Sequence, residues 1–207
     1  MSVLKNMYSP LRRGVLASLL GLACDVVWAV TPGSPAPGFS LKTLEGKPFA
    51  LADFKGRWVA LEWVNPDCPF VQKHYNAGNM QATQRFAAAN KVVWIQINST
   101  TPTHKDYKSA AQMRDWLVAM TSQPEYSALD EPGAVGRAYA AKTTPQMVLI
   151  DPAGTVVYNG AIDDKRSANV ADIPGARNHF KAAIEEVAAG KPVSVPATTP
   201  YGCTIKY

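Results

Sequence analysis

The stretch that decides the fold is WVALEWVNPDCPFVQKHY, residues 58–75. Its first part, 58–64, is a run of mostly large apolar residues and is typical of a buried strand. The part that follows has helix-starting chemistry, because Asp67 suits a capping position and Pro69 suits the first helical position. Cys68 stands where the strand ends and the helix begins.

This position makes Cys68 a candidate nucleophile. At a helix N-terminus several backbone N–H groups point outward, together with the positive end of the helix dipole, and this favours the thiolate. The thiolate is the form of cysteine that attacks disulfides, peroxides and metals. The sequence therefore predicts a reactive cysteine rather than one that only fills the core.

A second informative stretch lies downstream, at Thr143-Thr144-Pro145. Pro145 leads directly into the apolar run 146–150, and proline fits the first residue of a strand. The turn 151–154 and the returning strand 155–158 predict an antiparallel hairpin. Strands that alternate with helices and end in such a hairpin predict an α/β protein with a mixed central sheet covered by helices.

Together these features resemble the thioredoxin superfamily, and more narrowly the redoxin group that includes alkyl hydroperoxide reductase and thiol-specific antioxidant domains. Within it the chain is most similar to a peroxiredoxin-like group with one cysteine in a C-P-[FY]-V context, here 68–71, and a G-C-x-I-K ending, here 202–206. The similarity runs from about Pro35 onward. It implies a three-layer thioredoxin-like fold with an N-terminal β-hairpin extension, formed here by residues 39–51.

The chain departs from the best-known patterns of this superfamily. The second cysteine of C-x-x-C is replaced by Val71. In the peroxidase pattern P-x-x-x-T-x-x-C, the cysteine would fall at Val71 and the threonine at Cys68. The C-x-x-x-C of thioredoxin-like copper chaperones is interrupted by Gln72.

The resemblance also implies roles for individual residues. Glu62, six residues before Cys68, matches a buried acid that exchanges protons with the thiol; the alternative is a paired or edge-facing carboxylate. Thr144 and Pro145 match a cis-proline segment that faces the cysteine and pairs with a substrate chain. The expected substrate-binding residues are Thr144, Pro145, Pro69 and Phe70.

The C-terminal tail, residues 191–207, carries Cys203. The residues from Lys191 to Cys203 can span up to about 40 Å when extended, so this cysteine is able to return to Cys68. Cys203 is then either the resolving thiol that replaces the missing partner or half of a static structural disulfide. Because a tail is mobile, the resolving role is favoured.

Other ionisable residues are expected to be solvated. Lys73, His74 and Tyr75 follow Cys68 on the predicted helix and are interpreted as surface residues. The run DDKR, residues 163–166, is interpreted as a solvated loop, because two adjacent aspartates point different ways in most conformations and a lysine and an arginine follow them. No metal site and no cofactor are indicated.

The N-terminus predicts a signal peptide over residues 1–29. Arg12 and Arg13 precede an apolar run, and small residues lie where a signal peptidase cleaves, after Ala29. The mature protein is expected in the periplasm or secreted, where disulfides persist, and without a stable membrane span. The alternatives are an uncleaved membrane anchor or lipoprotein processing at Cys24. Residues 30–38 are then a Pro/Gly-rich linker and 39–190 the folded domain.

Composition limits the function. The chain has 207 residues with 47% hydrophobic and 18% charged residues, enough for one core. Although the formal net charge is +5, no cluster of Lys and Arg with interleaved aromatics is present, so nucleic-acid binding is not indicated.

Three functions are consistent with the sequence. The first is an exported thiol-disulfide oxidoreductase that acts on a protein or small-molecule disulfide or thiol and is recycled by a redox donor that the sequence does not identify. The second is a peroxiredoxin-like antioxidant, in which Cys68 is oxidised to sulfenic acid and resolved by Cys203. The third is a non-catalytic binding module that holds copper or a partner protein.

Overall fold

The structure is a computed structural model that describes residues 30–207. The predicted signal peptide lies outside these residues. Within residues 30–207 the strands are β1 (Ser40–Lys42), β2 (Pro48–Ala50), β3 (Val59–Trp63), β4 (Val93–Asn98), β5 (Tyr126–Leu129), β6 (Thr143–Thr144), β7 (Gln146–Ile150), β8 (Val156–Gly160) and β9 (Cys203–Thr204). The α-helices of this part of the chain are α1 (Pro69–Asn76), α2 (Asn79–Ala89), α3 (Ala110–Ala119), α4 (Ala134–Ala138) and α5 (His179–Ala188).

A five-stranded mixed sheet forms the centre, in the order β5-β4-β3-β7-β8. Strands β3, β4 and β5 are parallel, whereas β7 is antiparallel to β3 and β8 is antiparallel to β7. Every residue of β3, β4 and β7 is buried. Strands buried on both faces have mostly apolar sequences, and the polar residues that these strands carry, such as Glu62 and Gln96, are buried with them.

Two apolar layers cover the sheet. On one face, Ala60 and Trp94 pack with residues of α1, α2, α3 and α5. On the other face, Leu61 and Ile95 pack with the β1-β2 hairpin and α4. The predicted fold class, a mixed sheet between two layers with an N-terminal hairpin, is confirmed.

The residues predicted as a linker, 30–38, run along the start of β8. Gly33 N–H donates to Val156 O at 2.8 Å, and Val156 N–H donates to Ser34 O at 3.0 Å. Ala36 N–H donates to Gly154 O at 2.8 Å. This segment is therefore hydrogen-bonded to the folded domain.

Two helices differ from those that the sequence predicts. The sequence from Pro69 to Ala89 predicts one helix with a bend at Gly78 and Asn79, but Gly78 has φ +69° and separates α1 from α2. The sequence predicts the last helix over residues 174–189, but it begins at His179, where the Asn178 side chain accepts the Lys181 N–H at 2.8 Å. Pro174 lies instead in a 3-10 turn, Val170–Gly175.

The tail does not behave as a mobile segment. Asn159 N–H donates to Pro196 O at 3.0 Å, and Ala197 forms a parallel bridge with Asn159 beside β8. Further along the tail, β9 pairs with β6. In the described part of the chain, no helix is both long and apolar enough to cross a membrane.

Candidate active site

Cys68 lies in the turn between β3 and α1. Its N–H donates to Asn65 O at 3.1 Å, and its carbonyl accepts the Gln72 N–H at 2.9 Å. Cys68 is therefore itself the N-cap of α1, with Pro69 in the first turn. The predicted capping residue, Asp67, is exposed and its carboxylate pairs with Lys108 instead.

The thiol of Cys68 points into the protein. The residue is 2% exposed, and its Sγ–H donates to Thr144 O at 3.0 Å. The Thr144–Pro145 peptide bond is cis. The structure thus brings together Cys68, Thr144 and Pro145, three of the residues that the sequence singled out.

Cys203 reaches the same place from the other end of the chain. In the antiparallel pairing of β6 with β9, Thr144 is opposite Cys203 and Thr143 is opposite Thr204. Both cysteines are free thiols. Burial raises the pKa of Cys203 to about 12, and the hydrogen bond and charge of Cys68 add to this effect. Cys203 is therefore held as a neutral thiol beside Cys68 at neutral pH.

The two cysteines line a small cleft of about 30 Å³. Its polar walls come from seven residues, which are Asn65, Asp67, Thr100, Asp106, Thr144, Thr204 and Lys206. A volume of this size holds roughly one small group, so a larger reactant can place only its reacting atom between these walls. Pro69 is exposed near the cleft, whereas the ring of Phe70 packs edge-on against the ring of Tyr201 with centroids 5.8 Å apart.

Glu62 is fully buried on β3 and accepts several hydrogen bonds. Tyr75 OH and Trp94 Nε1–H each donate to its carboxylate at 2.8 Å. The side-chain amides of Gln96 and Gln84 donate at 3.4 and 3.5 Å. Burial raises the pKa of Glu62 to about 7, although these donors partly oppose the shift. None of the hydrogen bonds that Glu62 makes within residues 30–207 involves a cysteine.

A second buried polar cluster was missed by the sequence analysis. Lys73, His74 and Asp163 are each 1% exposed or less, and Tyr201 is 5% exposed. The interpretation of Lys73, His74 and Tyr75 as surface residues is therefore wrong. The interpretation of residues 163–166 as solvated is also wrong for Asp163.

Charge pairing explains how this cluster tolerates burial. Lys73 Nζ lies 3.3 Å from Asp163 Oδ2 and donates to Lys165 O at 2.6 Å. Tyr201 OH donates to the other carboxylate oxygen of Asp163. Burial and that hydrogen bond raise the pKa of Tyr201 well above its ordinary value, so the hydroxyl stays protonated. The Lys73–Asp163 ion pair has no net charge, which matters because burying an unpaired charge is costly.

His74 completes the cluster as a neutral side chain. Burial lowers its pKa to about 4, with Asp163 opposing the shift. The Asn79 amide donates to Nδ1 at 2.8 Å, so Nε2 carries the proton and faces Tyr201 OH at 3.2 Å. Through Tyr201, this cluster ties the tail that carries Cys203 to the helix that begins at Cys68.

The burial of Tyr75 follows from its helical spacing. Tyr75 is seven residues from Cys68, about two helical turns, so both lie on the same helix face. Val71 shares that face and is also buried. The pairing of Lys73 with Asp163, in contrast, joins residues ninety positions apart and leaves no local pattern.

No cluster of three or more His, Cys, Asp or Glu side chains in residues 30–207 is arranged to hold a metal ion. The redox-capable groups of the site are its two thiols.

A cysteine at the N-terminus of the first sheet-covering helix, facing a cis Thr144–Pro145 bond, defines a redoxin of thioredoxin-like fold. The chain belongs to the AhpC/TSA family, whose model matches residues 32–159. As a redoxin, the protein is an oxidoreductase. Comparison with curated proteins gave no match.

Solved structures agree with this fold. An uncharacterized conserved protein from Geobacillus kaustophilus is similar with 24% identity and a TM-score of 0.73, covering 86% of this chain and 93% of that one. A hypothetical protein from Sinorhizobium meliloti 1021 has 25% identity and a TM-score of 0.71, covering 86% and 96%. A secreted Mycobacterium tuberculosis disulfide oxidoreductase has 22% identity and a TM-score of 0.50, covering 70% and 95%.

Proposed function

We propose that the protein is an exported thiol-disulfide oxidoreductase in which Cys68 is the nucleophile and Cys203 is the resolving thiol. One observation carries this proposal: β9 holds Cys203 opposite Thr144, whose carbonyl accepts the Cys68 thiol. Cys203 provides the second thiol that is missing from the C-x-x-C motif, where Val71 replaces the second cysteine.

Cys68 and Cys203 together can reduce one substrate disulfide. The Cys68 thiolate attacks one sulfur of a substrate disulfide, so a mixed disulfide forms and the other substrate half leaves as a thiolate. Cys203 then loses its proton and attacks Cys68 Sγ, which releases the second substrate half and leaves a Cys68–Cys203 disulfide. The substrate gains two electrons, and an external thiol donor must return the protein to its dithiol form.

Glu62 is proposed as the proton acceptor for these steps. Its pKa of about 7 lets it exchange a proton near neutral pH, and it lies on the sheet face that packs against α1. Since its hydrogen bonds do not include a cysteine, the proton must pass through an intervening group. Pro69, Phe70, Thr144 and Pro145 remain the proposed surroundings of the substrate sulfur.

Export is proposed from two observations. The first is the predicted signal peptide with cleavage after Ala29. The second is the similarity to a disulfide oxidoreductase from Mycobacterium tuberculosis that is itself secreted. In an oxidising compartment the thiols of a redoxin need a dedicated donor, which is the partner class this proposal implies.

Peroxide reduction is a second candidate because the chain belongs to the AhpC/TSA family. Here the Cys68 thiolate would attack the O–O bond of a hydroperoxide, giving a sulfenic acid and an alcohol. Cys203 would then form the disulfide with loss of water. Against it, Cys68 stands where the peroxidase pattern has its threonine.

A redox titration tests the proposal. In graded glutathione buffers the chain is expected to form a reversible bridge between Cys68 and Cys203, with a midpoint in the range of catalytic dithiols, about −120 to −270 mV. Mass spectrometry of peptides would map the bridge, and Cys68→Ser and Cys203→Ser are the controls that remove it. No bridge, or a bridge that only strong reductant opens, would contradict the resolving role. The reduced chain is then mixed with one equivalent of a disulfide or of a hydroperoxide. The compound that oxidises the two thiols faster shows which of the two candidate functions applies.

A further inference from the structure

The backbone edge beside Cys68 is already filled by the protein's own tail. Strand β9 pairs with β6, and two more backbone hydrogen bonds follow it. Ile205 N–H donates to Lys142 O at 3.0 Å, and Thr101 N–H donates to Lys206 O at 2.7 Å. The tail is thus bonded to neighbouring backbone on two sides.

Side chains anchor the tail before and after β9. Tyr201 is held in the buried cluster with Lys73 and Asp163. At the other end, Tyr207 OH donates to Ala141 O at 2.7 Å, and the Arg137 guanidinium lies 4.6 Å from the Tyr207 ring. Removing β9 from the edge would break both anchors, so we expect the edge to stay occupied.

This occupancy limits what can reach the thiol. An extended polypeptide gains affinity by adding a strand to an exposed backbone edge. The edge next to Cys68 is β6, and Cys203 lies opposite Thr144 in the position that such a polypeptide would take. The space left beside the two cysteines is the cleft of about 30 Å³.

We propose that the C-terminal strand is a resident occupant of the polypeptide edge, and that Cys68 therefore reacts with low-molecular-weight disulfides in preference to extended polypeptides. This substrate class rests on the proposed thiol-disulfide exchange. In each reaction a Cys68–S bond forms, the disulfide of the small molecule breaks, and its other half leaves as a thiolate.

Gly202 offers a way to displace β9 from β6 without replacing Cys68. It has φ +138°, and a Cβ built on it would lie 2.0 Å from Thr144 O, so Gly202→Ala must shift the tail away from β6. Gly136→Ala acts on the far anchor, because its Cβ would lie 2.5 Å from the Tyr207 hydroxyl. Gly190→Ala is the matched control, since Gly190 also has positive φ (+70°) but has open space around it.

The test uses the full chain carrying Cys24→Ser and Cys203→Ser, so that Cys68 is its one remaining thiol. One probe is the small disulfide dithiobis(nitrobenzoate). The other is a short extended peptide whose central cysteine is linked to the same nitrobenzoate thiol, so both probes release the same coloured product. Each rate is divided by the rate of the same probe with the urea-unfolded chain, which removes differences in intrinsic reactivity.

The small probe is expected to react at least about tenfold faster than the peptide probe after this correction. Adding Gly202→Ala or Gly136→Ala should raise the peptide rate by about tenfold and change the small-probe rate by less than about threefold. Gly190→Ala should change neither rate.

Equal corrected rates for both probes before the strand is disturbed would overturn the proposed substrate class and leave thiol-disulfide exchange standing. An unchanged ratio in both glycine variants, with folding intact by circular dichroism, would overturn it too. A folded chain whose Cys68 reacts with neither probe would overturn the proposed function and this inference together.

Discussion

Replacing Asp163 by alanine is expected to lower the free energy of unfolding by about 3–5 kcal/mol, because it leaves the buried ammonium group of Lys73 without its counter-charge. Asp163 and Lys73 are both 1% exposed, and their charged atoms are 3.3 Å apart. After the substitution Lys73 would keep Lys165 O and Tyr201 OH, which carry no full charge. Urea unfolding followed by circular dichroism measures the loss.

Two variants show whether the loss comes from the unpaired charge. Asp164 is exposed and accepts one backbone N–H from Arg177, so Asp164→Ala should cost under about 1 kcal/mol. Combining Asp163→Ala with Lys73→Met removes both charges, so the double variant should lose about 1–3 kcal/mol less than the sum of the single variants. Strictly additive losses would show that the two charges do not interact.

Raising the pH from about 4 to about 8 is expected to cost the protein about 3 kcal/mol of stability through Glu62 alone. Burial raises the pKa of this carboxyl from 4.5 to about 7 in the folded protein. Between these values the folded state holds the proton more tightly than the unfolded state, so stability falls as the pH rises. The contribution is fully present below pH 4.5 and is lost once the pH passes about 7.

Glu62→Gln isolates this contribution. The amide has nearly the same shape and carries no charge, so the variant should gain about 3 kcal/mol relative to the parent chain between about pH 4 and pH 8. The free energies of unfolding of the two chains are compared at each pH because His74 acts in the opposite direction. Its lowered pKa reduces the stability of both chains as the pH falls below 6.5. A difference that does not change with pH would mean that Glu62 titrates normally.

The same pair of chains tests the proposed proton transfer. If Glu62 accepts protons during exchange, Glu62→Gln should lower the exchange rate above about pH 7 and flatten its pH profile. A rate and profile equal to those of the parent chain would leave Glu62 with a purely structural role. That role would be to accept the four hydrogen bonds that connect α1, α2 and β4 to β3.

The buried cluster and the strand β9 link stability to the candidate site. Tyr201 and Cys203 are two residues apart, and Tyr201 is fixed by Lys73 and Asp163. The location of Cys203 therefore depends on an ion pair that touches neither cysteine. Because Asp163→Ala loosens this anchor, it should also make Cys203 more accessible to alkylating reagents.

Local patterns in the sequence determined the fold class and the position of Cys68. The apolar run 58–64 predicted a buried strand, Pro69 marked the start of a helix, and Pro145 marked the start of a strand in the final hairpin. Each of these signals lies within a few residues of what it determines. Periodicity, capping and turn preferences act over such short distances and can be read without a partner.

Tertiary structure decided where Cys203 lies and which charged residues are buried. Cys203 meets Thr144 across the chain, and Lys73 meets Asp163 and Tyr201 from helices and loops far apart in sequence. A lysine or aspartate is predicted to be solvated unless its partner is known, because a counter-charge is needed to offset the free-energy cost of burying it. That partner is chosen by the packing of the whole domain, which no local pattern encodes.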